Sequence, residues 1–333
     1  LCTYITFTTL YTIIAIPVGS LIPAMTQDRD ERTSLASFRY LGASSGSISV
    51  AVLTLPLVGL FSSPQYGFPI TVAILAFFGA IFAFLCFYHT EEKYSKTYEK
   101  RVSIKDLLRM VFSNFPLHLV ILALLTTWIA NNIKQITVIY FVKYNLQLEA
   151  FFSPILLSVI LQIMFGAFLI NLIKHKFEKK TLFMIGTFLY VITDLIIYYI
   201  TGYENFWLFA FVASFGFVGF GMAGVMAWSM IADTVEYGEW KSGFRAEGTL
   251  NAAHVFVFKL SVGFSAWLAG YILDRTNYKP NAEIQSIDTL NGLFIMGYIF
   301  PAIAGTIAII VMLFHNYNGA FYEKIFSELK QRQ

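Results

Sequence analysis

Apolar side chains in this chain fall into long unbroken runs, not into the alternating or one-sided patterns of a water-soluble domain. A bilayer core about 30 Å thick needs roughly 20 apolar residues in helical conformation. Nine runs of that kind stand between charged or turn-rich stretches, at residues 3–25, 38–61, 67–89, 116–142, 150–173, 181–201, 205–232, 250–273 and 290–315. Each predicts a helix, because in lipid the backbone must satisfy its own N–H and C=O groups, within a helix or around a closed barrel. Barrel strands alternate in hydrophobicity, and the run from Ile155 to Ile170 does not. The expected fold class is all-α, a polytopic membrane protein with nine transmembrane helices.

Composition carries the same message. Of 333 residues, 57% are hydrophobic and 13% charged, against about a quarter charged in soluble domains. A soluble enzyme, a disordered chain and a disulfide scaffold are all excluded on that ground. The net charge of +3 comes from 23 basic and 20 acidic residues, which is too balanced for a nucleic-acid partner. Cys2 and Cys86 each lie in an apolar run, so no disulfide framework or metal site is expected. The chain contains no HExxH, no P-loop and no Gly-x-Ser-x-Gly, and its connections are too short for a nucleotide-binding domain. Neither an enzyme nor an ATP-driven machine is indicated.

The basic residues sort the connections into two alternating sets. One set holds 17 Lys and Arg, in the segments around 26–37, 90–115, 174–180, 233–247 and after 316; the other holds only Lys143, Arg275 and Lys279. The positive-inside rule places the first set in the cytoplasm. Residue 1 then starts outside, and without an initiator Met or a signal peptide the chain reads as lacking its beginning. The expected organisation is three helices in residues 1–89, a central cytoplasmic loop at 90–115, six helices in 116–315 and a cytoplasmic tail at 316–333. Three further spans in front would give two six-helix bundles, the arrangement of transporters with a midplane substrate site between bundles.

Two stretches carry a resemblance. Residues 11–39 read YTIIAIPVGSLIPAMTQDRDERTSLASFR, and residues 228–248 read WSMIADTVEYGEWKSGFRAEG, followed by a span with Lys259. With Tyr140, Phe141, Lys143 and Tyr144, they resemble the glycoside–pentoside–hexuronide:cation symporter family, the melibiose-permease-like branch of the major facilitator superfamily. The resemblance implies that the nine spans are helices four to twelve of twelve. It implies a secondary active transporter that moves a glycoside, glucuronide or pentoside together with Na+ or H+ by alternating access. No cofactor beyond that coupling ion is implied. The expected setting is the bacterial inner membrane, as a monomer in contact with lipid. Ala15 stands where melibiose-type members have an acidic residue, and Val18-Gly19 replaces their aromatic; both departures weaken any carry-over of galactoside or sodium specificity. The rival readings are a carrier of the same fold for another amphiphile such as a lysolipid, and a membrane sugar sensor that moves nothing.

Charges inside the spans mark candidate sites, since each costs about 2.5–3.5 kcal/mol on insertion scales. By resemblance, Arg39, Lys259, His254 and Tyr11 are expected to bind substrate. A guanidinium fork suits vicinal hydroxyls or a carboxylate. Asp194 and Lys134 lie mid-span in the second bundle, and Asp194 is expected to pair with Lys134 or Lys259. A single carboxylate does not mark a cation site, which the family places elsewhere. At the cytoplasmic ends, Asp28 and Arg32 are expected to face Asp233, Glu236 and Arg245 as a gate of weak ion pairs, each contributing about 0–1 kcal/mol if exposed. Gly219 and Ala223 have the small-xxx-small spacing of a close helix contact.

Overall fold

Helices form where the apolar runs predicted them, and several extend further. The computed structural model describes residues 2–94, 103–245, 247–280 and 282–331. Lys96, Lys100, Arg101 and Arg332, counted above among the basic connections, lie outside the described residues. The helices are α1 (Cys2–Met25), α2 (Arg29–Gly59), α3 (Pro64–His89), α4 (Ile104–Ser113), α5 (Phe115–Tyr140), α6 (Phe152–Ile173), α7 (Lys179–Ile196), α8 (Phe206–Ser242), α9 (Glu247–Arg275), α10 (Ile287–Leu313) and α11 (Gly319–Gln331). Among the described residues, nine helices are long and apolar enough to cross a membrane: all except α4 and α11.

The differences from the expected ends have local causes. Helix α2 begins nine residues before its apolar run because Asp28 caps it, with Oδ1 accepting the backbone N–H groups of Asp30 at 2.9 Å and Glu31 at 2.8 Å. Such a cap satisfies donors that the first helical turn leaves free. Helix α8 runs ten residues past its apolar stretch and ends on Gly243, whose φ of 81° gives the left-handed turn that closes a helix. Both extensions are polar, and they lie against each other. The central connection contains the short helix α4, and the tail contains α11, neither of which has the length of a span.

Helices α5 to α10 pack as one six-helix body, with α8 between α6 and α7 and with α10 between α5 and α7. Its core includes Val120, Leu124, Phe183, Met222, Met226 and Met312. Two close contacts at glycines set the spacing. A Cβ on Gly186 would lie 2.5 Å from the carbonyl oxygen of Gly219, and one on Gly221 would collide with the carbonyl oxygen of Ile163. Backbone therefore meets backbone along α8, as the small-residue spacing predicted. Helix α1 packs on α9, α2 on α6 and α8, and α3 chiefly on α2. At Pro17 and Pro23, which interrupt α1, side chains from the α9 side meet its backbone. Asn251 Nδ2 donates to the Ile16 carbonyl at 2.8 Å, and Arg245 Nη2 to the Pro23 carbonyl at 2.9 Å.

Overpacking such a contact costs about 1–3 kcal/mol. Gly219→Val is therefore expected to lower the thermal unfolding midpoint in detergent, whereas Gly263→Ala, where nothing lies within 4 Å of the added carbon, is expected to leave it unchanged or raise it slightly. Equal midpoints for the two variants would dismiss the close approach.

Candidate functional site

A cavity of about 400 Å³ lies between the α1–α2 pair and the six-helix body. Arg39 of α2, Tyr11 of α1 and His254 of α9 line it together, with Trp128, Asn131 and Trp228. The Arg39 guanidinium lies over the Trp228 ring, 4.0 Å from its centroid. His254 meets the same indole with its ring centroid 4.1 Å away. Trp228 thus holds both basic side chains in place, using attraction of a cation to an aromatic face for one of them. Their polar atoms remain open: Arg39 Nη1 and both ring nitrogens of His254 are buried with no hydrogen-bond partner. Buried polar groups without partners are costly in a finished core. In a binding cavity they are the groups a polar ligand or water would satisfy.

Lys259 does not line this cavity. Its Nζ donates to the Thr12 hydroxyl and the Thr8 carbonyl, so it ties α9 to α1 through neutral oxygens. Thr12 follows Tyr11, which places this lysine beside the cavity wall.

Where α1 stops and α2 starts, a buried ion-pair seam joins α2 to α8. Arg32 has none of its surface exposed. Its two terminal nitrogens donate to the two oxygens of Glu236 at 2.7 and 2.5 Å, and Nε donates to the Thr26 carbonyl at 3.0 Å. Planar fork against planar carboxylate is the strongest geometry available to this pair. Glu236 also accepts from Arg245 at 3.1 Å, and Arg245 continues to Glu239 at 3.2 Å and to Glu247. Asp233 takes a different set of partners, Lys179 at 2.7 Å and Arg29 at 3.2 Å, with Arg32 more distant at 3.5 Å. The expectation of exposed surface pairs is corrected here. Arg32, Glu236, Asp233 and Arg245 are all buried, because the polar extensions of α2 and α8 lie face to face and α11 covers them. Asp28 stands apart from this seam as the cap of α2.

Sequence reasoning missed part of this cluster. Arg29 and Lys179 sit among the basic residues that set orientation, and nothing in their spacing separates them from solvated loop charge. Tyr322 of α11 donates its hydroxyl to the Gln27 carbonyl at 2.8 Å, and its ring lies 5.3 Å from the Arg29 guanidinium. The clue available was the amphipathic pattern of the tail. Asn131, Trp128 and Trp228 of the cavity carry no signal that distinguishes them from other polar or aromatic residues in the spans.

Within the six-helix body, Lys134 of α5 donates to Asp194 Oδ1 of α7. Of the two lysines weighed from the sequence, Lys134 is the partner.

A cavity walled by the α1–α2 pair on one side and by the six-helix body on the other is the arrangement that two-bundle carriers use for a substrate site. The chain belongs to the MFS/sugar transport protein family, whose model matches residues 1–319; these are the glycoside–pentoside–hexuronide:cation symporters, a family of transporters and not of enzymes. It is similar to the uncharacterized symporter YjmB of Bacillus subtilis, with 31% identity over 91% of this chain and 66% of that protein. A protein of Escherichia coli named as a sulfoquinovose importer is 31% identical over 97% of this chain and 69% of its own length. An isoprimeverose transporter of Lactiplantibacillus pentosus is 27% identical over 99% of this chain and 69% of that protein. The chain thus spans about two thirds of the length of these relatives.

Two outcomes test the seam. Removing one partner of a buried pair costs about 3–5 kcal/mol, because the other charge is left uncompensated. Arg32→Ala is expected to lower the unfolding midpoint strongly, and adding Glu236→Gln to recover part of the loss; additive effects of the two changes would rule out coupling. His315, next to this seam, is 3% exposed, and burial followed by the nearby Lys180 pulls its pKa from 6.5 down to about 4. Between those values the unfolded chain binds a proton that the folded one refuses, so stability rises with pH across that window, by up to about 3 kcal/mol. His315→Gln is expected to flatten the dependence of the midpoint on pH there, and an unchanged slope would exclude His315 as its source.

Proposed function

We propose that the protein is a secondary active transporter that moves a sugar or sugar derivative together with a cation. The observation that carries this reading is the cavity between the α1–α2 pair and the six-helix body, with partnerless donors on Arg39 and His254 and aromatic walls from Trp128 and Trp228. Sugars present rings of hydroxyls over apolar faces, and indoles stack on those faces while fixed polar groups take the hydroxyls. Arg39 has the fork geometry for vicinal hydroxyls and the charge for a carboxylate or sulfonate. The relatives named for isoprimeverose and sulfoquinovose support the sugar class.

Alternating access then amounts to rocking α1–α3, the first body, against α5–α10, the second. With the basic connections cytoplasmic, as the positive-inside rule reads them, the Arg32–Glu236 seam is the inner gate. In this reading the seam as it stands is the inner gate in its shut state. Arg32, Asp233, Glu236 and Arg245 serve as gate residues, while Arg39, His254 and Tyr11 meet the solute, with Lys259 buttressing α1 beside them.

Uptake of labelled glucuronides, pentosides, galactosides and sugar sulfonates into sealed vesicles bearing the protein, under an imposed proton or sodium gradient, tests this reading. Gradient-dependent accumulation of at least one sugar is expected. Arg39→Ala is expected to weaken apparent affinity for it by roughly 10- to 100-fold, as for loss of charge-assisted hydrogen bonds. A folded protein that binds a sugar without accumulating it would point to a sensor, and one that accumulates only lysolipid would overturn the sugar class.

A further inference from the structure

The six-helix body holds a second polar site, away from the cavity between the bodies. Lys134 projects from the C-terminal third of α5, and Asp194 from the last turn of α7, just before the backbone widens into a π-helical turn at Ile197–Thr201. Lys134 satisfies one carboxylate oxygen of Asp194. The other, Oδ2, is buried with no partner, and so is the Tyr190 hydroxyl one helical turn earlier. A carboxylate buried only to fix packing needs both oxygens satisfied to offset its desolvation. This one is half satisfied.

The surroundings are sparse in charge. Lys134 Nζ lies 4.4 Å from the ring centroid of Tyr190 on α7, 5.1 Å from that of Tyr298 on α10 and 5.4 Å from that of Phe217 on α8. The titratable groups facing the carboxylate are thus Lys134 from α5, Tyr190 from its own helix and Tyr298 from α10, while α8 contributes only an aromatic ring. Lys134 also lines a separate cavity of about 80 Å³ with Thr137, Ser158, Gln162 and Tyr298. Gln162 Oε1 is buried there without a partner. One water needs about 10–15 Å³ and two or more polar partners, so this largely apolar pocket has room for water, with Lys134, Gln162 and Tyr298 as its polar partners.

We propose that Asp194 is a proton-binding site of the second body, loaded through Lys134 from this pocket. Lys134 passes one ammonium proton to Asp194, and the resulting amine takes a proton from a hydronium in the pocket, leaving water. The site gains one proton and one positive charge, and an ammonium then faces a neutral carboxyl. The tie between α5 and α7 is weakened by that step. The link to transport rests on the reading above: Asp194 is a proton site of the second body in addition to the cation site that the resemblance places elsewhere, and its loading accompanies proton-driven accumulation.

Two measurements decide the matter. Infrared difference spectra of the protein in lipid, recorded between alkaline and mildly acid pH, are expected to show a protonated-carboxyl band that shifts in D₂O. Asp194→Asn combined with Lys134→Gln leaves no lone charge, and is expected to remove that band. In vesicles the same double variant is expected to retain solute exchange and to lose proton-driven accumulation by tenfold or more. No such band in the parent, a band that survives in the double variant, or proton-driven accumulation equal to the parent would each overturn the proposal. A parent that transports no solute under any gradient counts against the transporter reading alone, since the infrared result still decides whether Asp194 binds a proton.

Discussion

A guanidinium without water must find every partner in protein, and Arg32 does so by drawing distant parts of the chain to one point. Its fork holds Glu236 on α8, its Nε holds the carbonyl of Thr26 beyond the end of α1, and Glu236 brings in Arg245 ahead of α9. The extensions of α2 and α8 past their apolar runs exist to reach this arrangement. Most of the charges on these stretches pair within the seam, while Asp30 turns outward to His175. The energy of the seam is conditional: an uncompensated member is costly in the dry state and harmless in water. A structure closed by such pairs is stable when all are made, and it opens most readily when water reaches all of them together.

The six-helix body is held by the opposite kind of contact. Where Gly186 meets Gly219 and Gly221 meets Ile163, backbones touch with no side chain between them, and dense apolar packing resists small displacements. The first three helices meet this body through two kinds of contact: polar ones at Asn251, Lys259 and the seam, and an apolar one in which Ile22, Ala36 and Tyr40 pack into its core. Relative motion between the two parts replaces the polar partners with water, whereas motion within the six helices would break close packing.

The nine spans were legible because hydrophobicity over 20 residues is a one-dimensional property, and the family was legible from two short polar stretches. Helix ends were harder to read, because Asp28 as a cap and Gly243 as a stop extend α2 and α8 through charged residues that resemble loop. The Arg32 and Glu236 charges were visible as candidates, but their burial was not. Burial depends on α11 folding back, and the run of residues after 316 does not encode where that helix docks. Arg39, His254 and Tyr11 were found through the resemblance and do share a cavity. Trp228, which orders two of them, looks in sequence like any other aromatic in a protein with 34 Phe and 19 Tyr.

Helix α11 is synthesised after all nine spans, yet Tyr322 and the Trp240–Glu328 hydrogen bond of 2.7 Å hold it over the ion-pair seam. Synthesis runs from the N-terminus, so α2 and α8 are in place before their cover exists. Full burial of Arg32 and Glu236 therefore needs an element made after both of the helices that carry them. That element is not itself a span, so the burial of this pair belongs to the docking of a helix and not to the insertion of one.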